Sequence, residues 1–291
     1  MTLLAILKSL RPQQWLKNLF IFAPLIFSKN FFAADLFLKT CFAFALFCLL
    51  SGALYILNDL KDLDEDRRHP IKSQRPLASG RLGKNAAVAA FLFLGVISLL
   101  LCLVLNRNYF YMALLYFFLQ VAYSFRLKHV VILDVFIVAA GFSIRVIAGG
   151  LAIEVTISPW LLICTTLLAL FLSLGKRRHE IILLEKGAAS HRPILAEYSS
   201  YLLDQMISVV TASTVIAYCL YTISEKTVAK FGTSHLIYTV PFVLYGVFRY
   251  LYLIHRKSEG GTPEILILKD KPLLVDIFLW VACAVAIIYF R

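Results

Sequence analysis

Three aspartates, Asp59, Asp62 and Asp66, follow one another at spacings of three and four residues, which place them on one face of a helix. Asn58 precedes Asp62 by one turn. Carboxylates this close repel one another unless a cation neutralises them, and oxygen ligands suit Mg²⁺, which takes the rest of its shell from water and substrate phosphates. We therefore expect Asn58, Asp59, Asp62 and Asp66 to hold Mg²⁺, with the aspartates catalytic. A solvated acidic helix end is the disfavoured alternative, because the run continues an apolar helix.

Cations follow the acidic run directly. Lys72 and Arg75 lie in a short segment stiffened by two prolines, and Arg and Lys are the residues that bind phosphate. We expect both to contact substrate phosphates, whereas Arg81 and Lys84 are explained equally well as topology signals. His69 has the chemistry of an acid or base, but a packed or solvated histidine fits the sequence as well.

Two charges interrupt a later apolar block. Asp134 and Arg145 are eleven residues apart, nearly on one helical face. Intramembrane charges are costly and usually face a cavity or a partner. A functional role is favoured for Asp134, while for Arg145 a structural ion pair is equally favoured. Tyr123 and Lys128 lie in and after the preceding helix, close before Asp134.

A third polar segment closes the sixth apolar block. Lys176 and Arg177 are followed by Glu180, and Lys176 and Glu180 have the i, i+4 spacing of a helical ion pair. The cations would alternatively hold anionic oxygens. Further along, Gly260 and Gly261 allow either a turn or the close approach of a ligand.

Long apolar blocks position these segments. The chain of 291 residues is 60% hydrophobic, and its mean hydropathy is +0.81. A membrane-spanning helix needs about 20 mostly apolar residues. We therefore expect one all-α transmembrane domain over residues 1–291, with about nine helices and Pro24 kinking or ending the first. The apolar blocks lie at 15–28, 34–57, 85–105, 109–125, 130–151, 157–175, 204–223, 235–254 and 273–290.

The basic residues are distributed unevenly along this chain. With a cytoplasmic N-terminus, 20 of the 29 Lys and Arg fall on the cytoplasmic side, which predicts that orientation and a cytoplasmic site. The net charge of +12 is explained by this asymmetry, so no nucleic-acid partner is expected. The six cysteines lie in apolar blocks and predict neither disulfides nor a zinc site. No cleavable signal peptide, Walker A or dinucleotide-binding motif is expected.

The acidic motif, Asn58-Asp59-x-x-Asp62-x-x-x-Asp66 at the end of a second helix, resembles the UbiA superfamily of intramembrane prenyltransferases. The resemblance implies helices around a central cavity that opens sideways to lipid. It also implies two carboxylate motifs, after helices two and six, that bind a polyprenyl diphosphate through Mg²⁺.

The second motif departs from that pattern, because Lys176-Arg177-Arg178-His179-Glu180 has one carboxylate where the superfamily is rich in Asp. This composition argues against a polyprenyl diphosphate donor and is similar to one branch, the decaprenyl-phosphate phosphoribosyltransferases. Segments shared with that branch run along nearly the whole chain: Arg11-Pro12-x-Gln14-Trp15-x-Lys17-Asn18, His69-Pro70-x-Lys72-x-x-Arg75-Pro76, Tyr123-Ser124 with Leu127-Lys128, Arg145 with Ala148-Gly149-Gly150, Gly175-Lys176-Arg177, and Gly260-Gly261-x-Pro263-Glu264 with Asp270.

The resemblance implies a Mg²⁺-dependent transfer of 5-phosphoribose from phosphoribosyl diphosphate to a polyprenyl phosphate in the plasma membrane, for cell-wall synthesis. A prenyltransferase acting on an aromatic or other small acceptor is the alternative. A transporter is disfavoured because no internal repeat is evident; homo-oligomerisation is left open. The residues expected to contact substrate are Asn58, Lys17, Lys72, Arg75, Tyr123, Lys128, Arg145, Lys176, Arg177 and Glu180, with Asp134 assisting catalysis.

Overall fold

The protein is described by a computed structural model that covers residues 2–68, 72–185, 193–257 and 261–290. Within these ranges the chain is helical and contains no strand, which confirms the all-α prediction. His69, Pro70 and Gly260, singled out above, lie outside the described residues. The α-helices are α1 (Thr2–Ser9), α2 (Ala23–Phe27), α3 (Ala34–Lys61), α4 (Leu63–Arg68), α5 (Lys84–Leu105), α6 (Arg107–Phe125), α7 (Leu133–Ala152), α8 (Pro159–Glu185), α9 (Ser200–Ile223), α10 (Glu225–Phe231), α11 (Val240–Arg256), α12 (Pro263–Lys269) and α13 (Lys271–Tyr289).

Seven helical segments of the described chain are long and apolar enough to cross a bilayer. They correspond to the predicted blocks except the first, 15–28, and the fourth, 109–125. The fourth block forms α6, a helix of 19 residues that carries several tyrosines and a glutamine. The membrane-spanning character of the chain is thus established, while the count of nine spans stays a prediction.

The prediction of one helix over residues 15–28 is wrong. This part of the chain forms a 3₁₀-helix, Pro12–Phe22, followed by the five-residue α2. Pro24 lies in the first turn of α2, where its missing N–H costs no helical hydrogen bond. A 3₁₀-helix of 11 residues is unusually long, and its packing supplies the reason. A Cβ atom on Gly149 of α7 would lie 2.1 Å from the carbonyl oxygen of Ile21, so the two backbones touch directly.

Contacts divide the chain into two compact units, Met1–Thr156 and Ile157–Arg291. The single domain over 1–291 therefore stays a prediction. The first unit has a core in which the Phe47 ring packs against those of Tyr109 and Tyr116, with centroids 5.9 and 5.2 Å apart. The buried hydroxyl of Tyr109 donates to the carbonyl of Ala43 at 2.7 Å, which satisfies a polar group that would otherwise be costly inside the bundle.

A second apolar cluster of the first unit lies under the polar segments. Leu10, Ile56, Leu63, Leu77 and Leu82 are each at most 5% exposed and pack together. These residues are neighbours in sequence of the acidic motif, of the segment before the 3₁₀-helix, and of the loop after α4. Burial of this cluster therefore fixes the backbone of three separate segments. The charged side chains of these segments contact one another, as described below.

The second unit contains α8 to α13. The Tyr218 hydroxyl of α9 bonds to Thr239 at 2.6 Å and accepts from the Trp280 indole N–H at 2.8 Å, which links α9, the 3₁₀-turn His235–Thr239 and α13. The rings of Phe171 and Tyr250 join α8 to α11 with centroids 5.1 Å apart.

Candidate functional site

The acidic motif spans a helix boundary. Asp59 is in the last turns of α3, Asp62 follows the end of that helix, and Asp66 is in α4. The expectation of one continuous helix is therefore wrong. The backbone nevertheless keeps turning, because the Asp62 N–H bonds to the Asn58 carbonyl at 2.9 Å and the Asp66 N–H to the Asp62 carbonyl at 2.8 Å. The side chains of Asp59 and Asp66 are both 4% exposed.

Arg75 joins the two buried carboxylates. Its Nη1 atom donates to Asp59 Oδ1 at 3.0 Å and to Asp66 Oδ2 at 2.6 Å. One guanidinium thus neutralises charge on α3 and on α4 together. The loop that carries Arg75 therefore folds back on the acidic motif, and a role of Arg75 in phosphate binding stays a prediction.

Arg11 belongs to this cluster, although it was not among the site residues expected from the sequence. Its guanidinium donates to Asp59 Oδ1 and lies 5.0 Å from the ring centroid of Tyr55. Arg11 has φ 52°, in the left-handed region, which an L-residue adopts only at a cost. This backbone angle ends α1 and turns the chain into the 3₁₀-helix. The usable signal was its place in the Arg11-Pro12 segment shared with the branch.

Lys128 is the third cation of the cluster and pairs with Asp62. Its Nζ donates to Asp62 Oδ1, and Asn58 Nδ2 donates to Asp62 Oδ2 at 3.1 Å. Lys128 lies in a 3₁₀-turn between α6 and α7 and is 8% exposed. The turn leads into α7 through Ile132, whose φ of 68° is rare for a β-branched residue. Strained backbone of this kind persists where the surrounding packing imposes it.

The two intramembrane charges of α7 occupy different surroundings. Asp134, in the first turn, is completely buried. Arg145 donates to Asn18 Oδ1 at 2.7 Å, to the Gly141 carbonyl at 2.8 Å and to the Tyr116 hydroxyl at 2.8 Å. These neutral acceptors tie α7 to the 3₁₀-helix and to α6. The described contacts support a structural role for Arg145, with neutral partners in place of the ion pair that was considered.

The other predicted substrate residues of the first unit lie in three separate elements. Lys17 Nζ donates to Gln14 Oε1 at 2.7 Å in the 3₁₀-helix. Lys72 begins the 3₁₀-turn before Arg75, and Tyr123 is half-buried in the last turn of α6. Contact of these three residues with substrate stays a prediction.

Lys176, Arg177 and Glu180 lie on α8 in the second unit. Glu180 accepts from Arg177 Nη1 at 2.5 Å, an i, i+3 pair. Pairing of Glu180 with Lys176, one of the two interpretations of the sequence, stays a prediction. Gly261, which precedes α12, lies against His179 of α8. A Cβ atom added to Gly261 would be 2.8 Å from the His179 ring. Close packing therefore accounts for this glycine without a ligand.

The same unit contains an ion pair in the loop before α13. Arg249 Nε and Nη2 donate to the two carboxylate oxygens of Asp270 at 3.1 and 2.8 Å. Asp270 also accepts from the Leu273 N–H at 2.9 Å and so caps α13. The hydrogen bond from Arg249 lowers the pKa of Asp270 below its ordinary value.

The donors of the acidic cluster fit a hard divalent cation. Asn58, Asp59, Asp62 and Asp66 all offer oxygen, the ligand that Mg²⁺ prefers. Among the described residues no three carboxylates, imidazoles or thiols converge as a ready-made metal group. Three carboxylates instead pair with three cations, Arg11, Arg75 and Lys128. Such a neutral cluster can exchange partners when a metal ion and an anionic ligand arrive together.

Comparisons with known sequences and solved structures identify the family of this chain. A decaprenyl-phosphate phosphoribosyltransferase of Mycolicibacterium smegmatis is 33% identical over 98% of this chain and 92% of its own length. The enzyme of the same name from Corynebacterium glutamicum is 32% identical over 97% of this chain and 86% of its own. A solved UbiA homolog from Archaeoglobus fulgidus, bound to GPP and Mg²⁺, superimposes with a TM-score of 0.72 at 20% identity, covering 98% of this chain and 99% of that one. The UbiA prenyltransferase family itself matches residues 19–266, so the chain belongs to the UbiA prenyltransferase family.

Proposed function

We propose that this protein transfers 5-phosphoribose from phosphoribosyl diphosphate to a polyprenyl phosphate and releases diphosphate. The observation that carries the proposal is the nearly full-length similarity to enzymes named for decaprenyl-phosphate phosphoribosyl transfer. The reaction takes place, on this proposal, in the plasma membrane with the N-terminus and the site on the cytoplasmic side.

Asn58, Asp59, Asp62 and Asp66 are the proposed Mg²⁺ ligands. When bound, the metal neutralises the diphosphate and stabilises the charge that develops on it as it leaves. The Archaeoglobus homolog with bound Mg²⁺ supports a divalent metal in this fold.

The cations of the cluster are the proposed phosphate ligands. Arg11, Arg75 and Lys128 each bond to an aspartate of the motif, so replacing those bonds with metal–carboxylate bonds frees three cations at one place. The donor carries a diphosphate and a 5-phosphate, and the acceptor adds another phosphate. A site for these substrates needs more cations than one that binds a single diphosphate, and guanidinium groups hold phosphate through paired hydrogen bonds.

The transfer itself needs little from the protein beyond position and charge. The acceptor phosphate is already anionic near neutral pH, so it attacks the anomeric carbon without a general base. Asp134, buried and six residues after Lys128, is the proposed partner of the ribose or of the positive charge that develops on its anomeric carbon. Lys17, Lys72 and Tyr123 of the first unit are further proposed substrate contacts, whereas Lys176, Arg177 and Glu180 are proposed from the resemblance alone.

Prenyl transfer to a small acceptor is the second candidate. It is favoured by the fold shared with the GPP-bound homolog and by a digeranylgeranylglyceryl phosphate synthase of Sulfolobus acidocaldarius, which is 32% identical over 36% of this chain. The cation-rich segment on α8 argues against a polyprenyl diphosphate as the donor.

A donor competition separates the two candidates. Purified protein is supplied with a polyprenyl phosphate and labelled phosphoribosyl diphosphate, or with a labelled prenyl diphosphate and aromatic acceptors. We expect a labelled transfer product only in the reaction with labelled phosphoribosyl diphosphate. Label from the prenyl diphosphate alone would replace the proposal with the second candidate.

A further inference from the structure

The turn between α1 and the 3₁₀-helix is packed against one face of α3. Gly52, Tyr55 and Asp59 are spaced i, i+3 and i+7, so they line that face. A Cβ atom on Gly52 would lie 2.8 Å from Leu10 Cδ2 and 3.4 Å from Leu10 Cα, so the absence of a side chain lets the turn approach the helix. Leu10 is 4% exposed, and its burial anchors the residue that precedes Arg11.

The guanidinium of Arg11 has two partners on this face. It donates to Asp59 Oδ1, and its Cζ atom lies 5.0 Å from the centroid of the Tyr55 ring. A cation within about 6 Å of the centroid of an aromatic ring is attracted by the electrons of the ring face. Tyr55 is half-buried and the Arg11 side chain is 25% exposed, so water screens this attraction only in part. The ring is therefore a second anchor beside the carboxylate.

Metal binding affects the two anchors differently. Asp59 is a proposed Mg²⁺ ligand, so Arg11 loses this acceptor when Asp59 binds the metal. Arg75 and Lys128 lose acceptors in the same way, because the carboxylates to which they donate belong to the same motif. The Tyr55 ring is neutral and is not among the proposed metal ligands, so its attraction for Arg11 remains when the metal is bound.

We propose that Tyr55 is a positioning residue for Arg11. Its ring holds the guanidinium in the site after Asp59 has bound the metal, so that Arg11 is placed to donate to the diphosphate of the donor. Without the ring, Arg11 would be released from α3 when its carboxylate partner is taken. This inference rests on the proposed function, because it takes Arg11 to be a phosphate ligand in the substrate-bound state.

Binding of inorganic diphosphate in the presence of Mg²⁺ tests the positioning role without turnover. Isothermal titration calorimetry of the detergent-purified protein compares Tyr55→Leu, which removes the ring, with Tyr55→Phe, which keeps it. Phe42→Leu is the matched control, because Phe42 is 38% exposed and lies on α3 about five turns before Asp59. We expect the dissociation constant to rise about fivefold in Tyr55→Leu and to stay within about twofold of wild type in Tyr55→Phe and Phe42→Leu.

A double substitution separates positioning from general packing. In an Arg11→Gln background the ring has no guanidinium to hold, so the addition of Tyr55→Leu should leave the affinity for diphosphate unchanged. A packing defect would persist in that background. Three results would overturn the proposal: equal affinities of wild type and Tyr55→Leu, a Tyr55→Phe variant as weak as Tyr55→Leu, or an undiminished effect of Tyr55→Leu in the Arg11→Gln background.

The same measurements distinguish failure of this inference from failure of the proposed function. Wild type that binds diphosphate with Mg²⁺ but forms no lipid-linked phosphoribose would contradict the proposed function, and a weaker Tyr55→Leu variant would still support the positioning of Arg11. Wild type that binds no diphosphate in the presence of Mg²⁺ would overturn the inference itself.

Discussion

Arg75→Gln is the substitution whose effect follows most directly from the acidic cluster. Arg75 Nη1 bonds to both Asp59 and Asp66, whose side chains are 4% exposed. Removing one partner of a buried ion pair costs about 3–5 kcal/mol, since it leaves a buried charge without compensation. The Arg75 side chain is itself 25% exposed, and Arg11 remains on Asp59. We therefore expect a loss of about 2–3 kcal/mol in the free energy of unfolding, below that range because of solvent screening.

A double-substitution cycle isolates the buried charge. Arg75→Gln combined with Asp66→Asn removes the carboxylate together with its partner, so the two losses should not add, and stability should partly recover. Arg81→Gln is the matched control in the same loop, because Arg81 is exposed and bonds to Ser79 and the Gln74 carbonyl. Its effect should stay within about 0.5 kcal/mol.

Denaturant titration of the detergent-purified variants measures these free energies, with the thermal midpoint as a second readout. Two results would refute the reasoning. One is an Arg75→Gln variant as stable as Arg81→Gln. The other is a double variant whose loss equals the sum of the single losses, since the carboxylate and guanidinium would then be energetically independent.

Three further predictions concern packing and pH. Gly149→Ala should lower the free energy of unfolding by about 1–3 kcal/mol, because the new Cβ atom would collide with the backbone of Ile21. Gly95→Ala on α5 should leave it unchanged, because its Cβ atom would meet only a ring atom of Phe117 at 3.8 Å. The thermal midpoints of the two variants test this difference. Arg145→Met should lower the thermal midpoint without changing the Michaelis constant for phosphoribosyl diphosphate, and a selectively raised constant would contradict its structural role. Arg249 lowers the pKa of Asp270, so the stability that this carboxylate contributes is present above its ordinary pKa of 3.8 and is lost as pH falls through the lowered value. The thermal midpoints of wild type and Asp270→Asn should therefore converge only at acid pH; a constant difference at all pH values would contradict the linkage.

The long spans could be read from the sequence because length and hydropathy determine them. The blocks 34–57 and 273–290 were predicted as helices and correspond to α3 and α13, which ends at Tyr289. The first block failed because its backbone conformation depends on a distant contact. Ile21 lies against Gly149 of α7, and no property of residues 15–28 indicates so close an approach.

The sequence identified the acidic residues of the cluster, but it identified only part of the basic residues that pair with them. Asp59, Asp62 and Asp66 stand out by spacing, and Arg75 by following them. Arg11 was missed because its contact with Asp59 joins positions 48 residues apart, through a left-handed turn that no local pattern announces.

The contacts of Asp204 with Arg178 and His255 were missed for a similar reason. Arg178, Asp204 and His255 come from three helices, and each alone is an ordinary charge at a helix end. Only the packing of α8, α9 and α11 brings them to one place.

On the proposed function, the acidic motif supports Mg²⁺-dependent transfer from phosphoribosyl diphosphate. The direct test is the rate of lipid-linked phosphoribose formation by Asp62→Asn over a range of Mg²⁺ concentrations. Asp64→Asn is the matched control, because Asp64 is two residues away, 87% exposed and 3.7 Å from its partner Arg67. We predict that wild type and Asp64→Asn show the same Mg²⁺-dependent turnover and that Asp62→Asn, folded to the same extent, shows none. Near-normal turnover by Asp62→Asn, or turnover by wild type that persists when Mg²⁺ is chelated, would contradict the account.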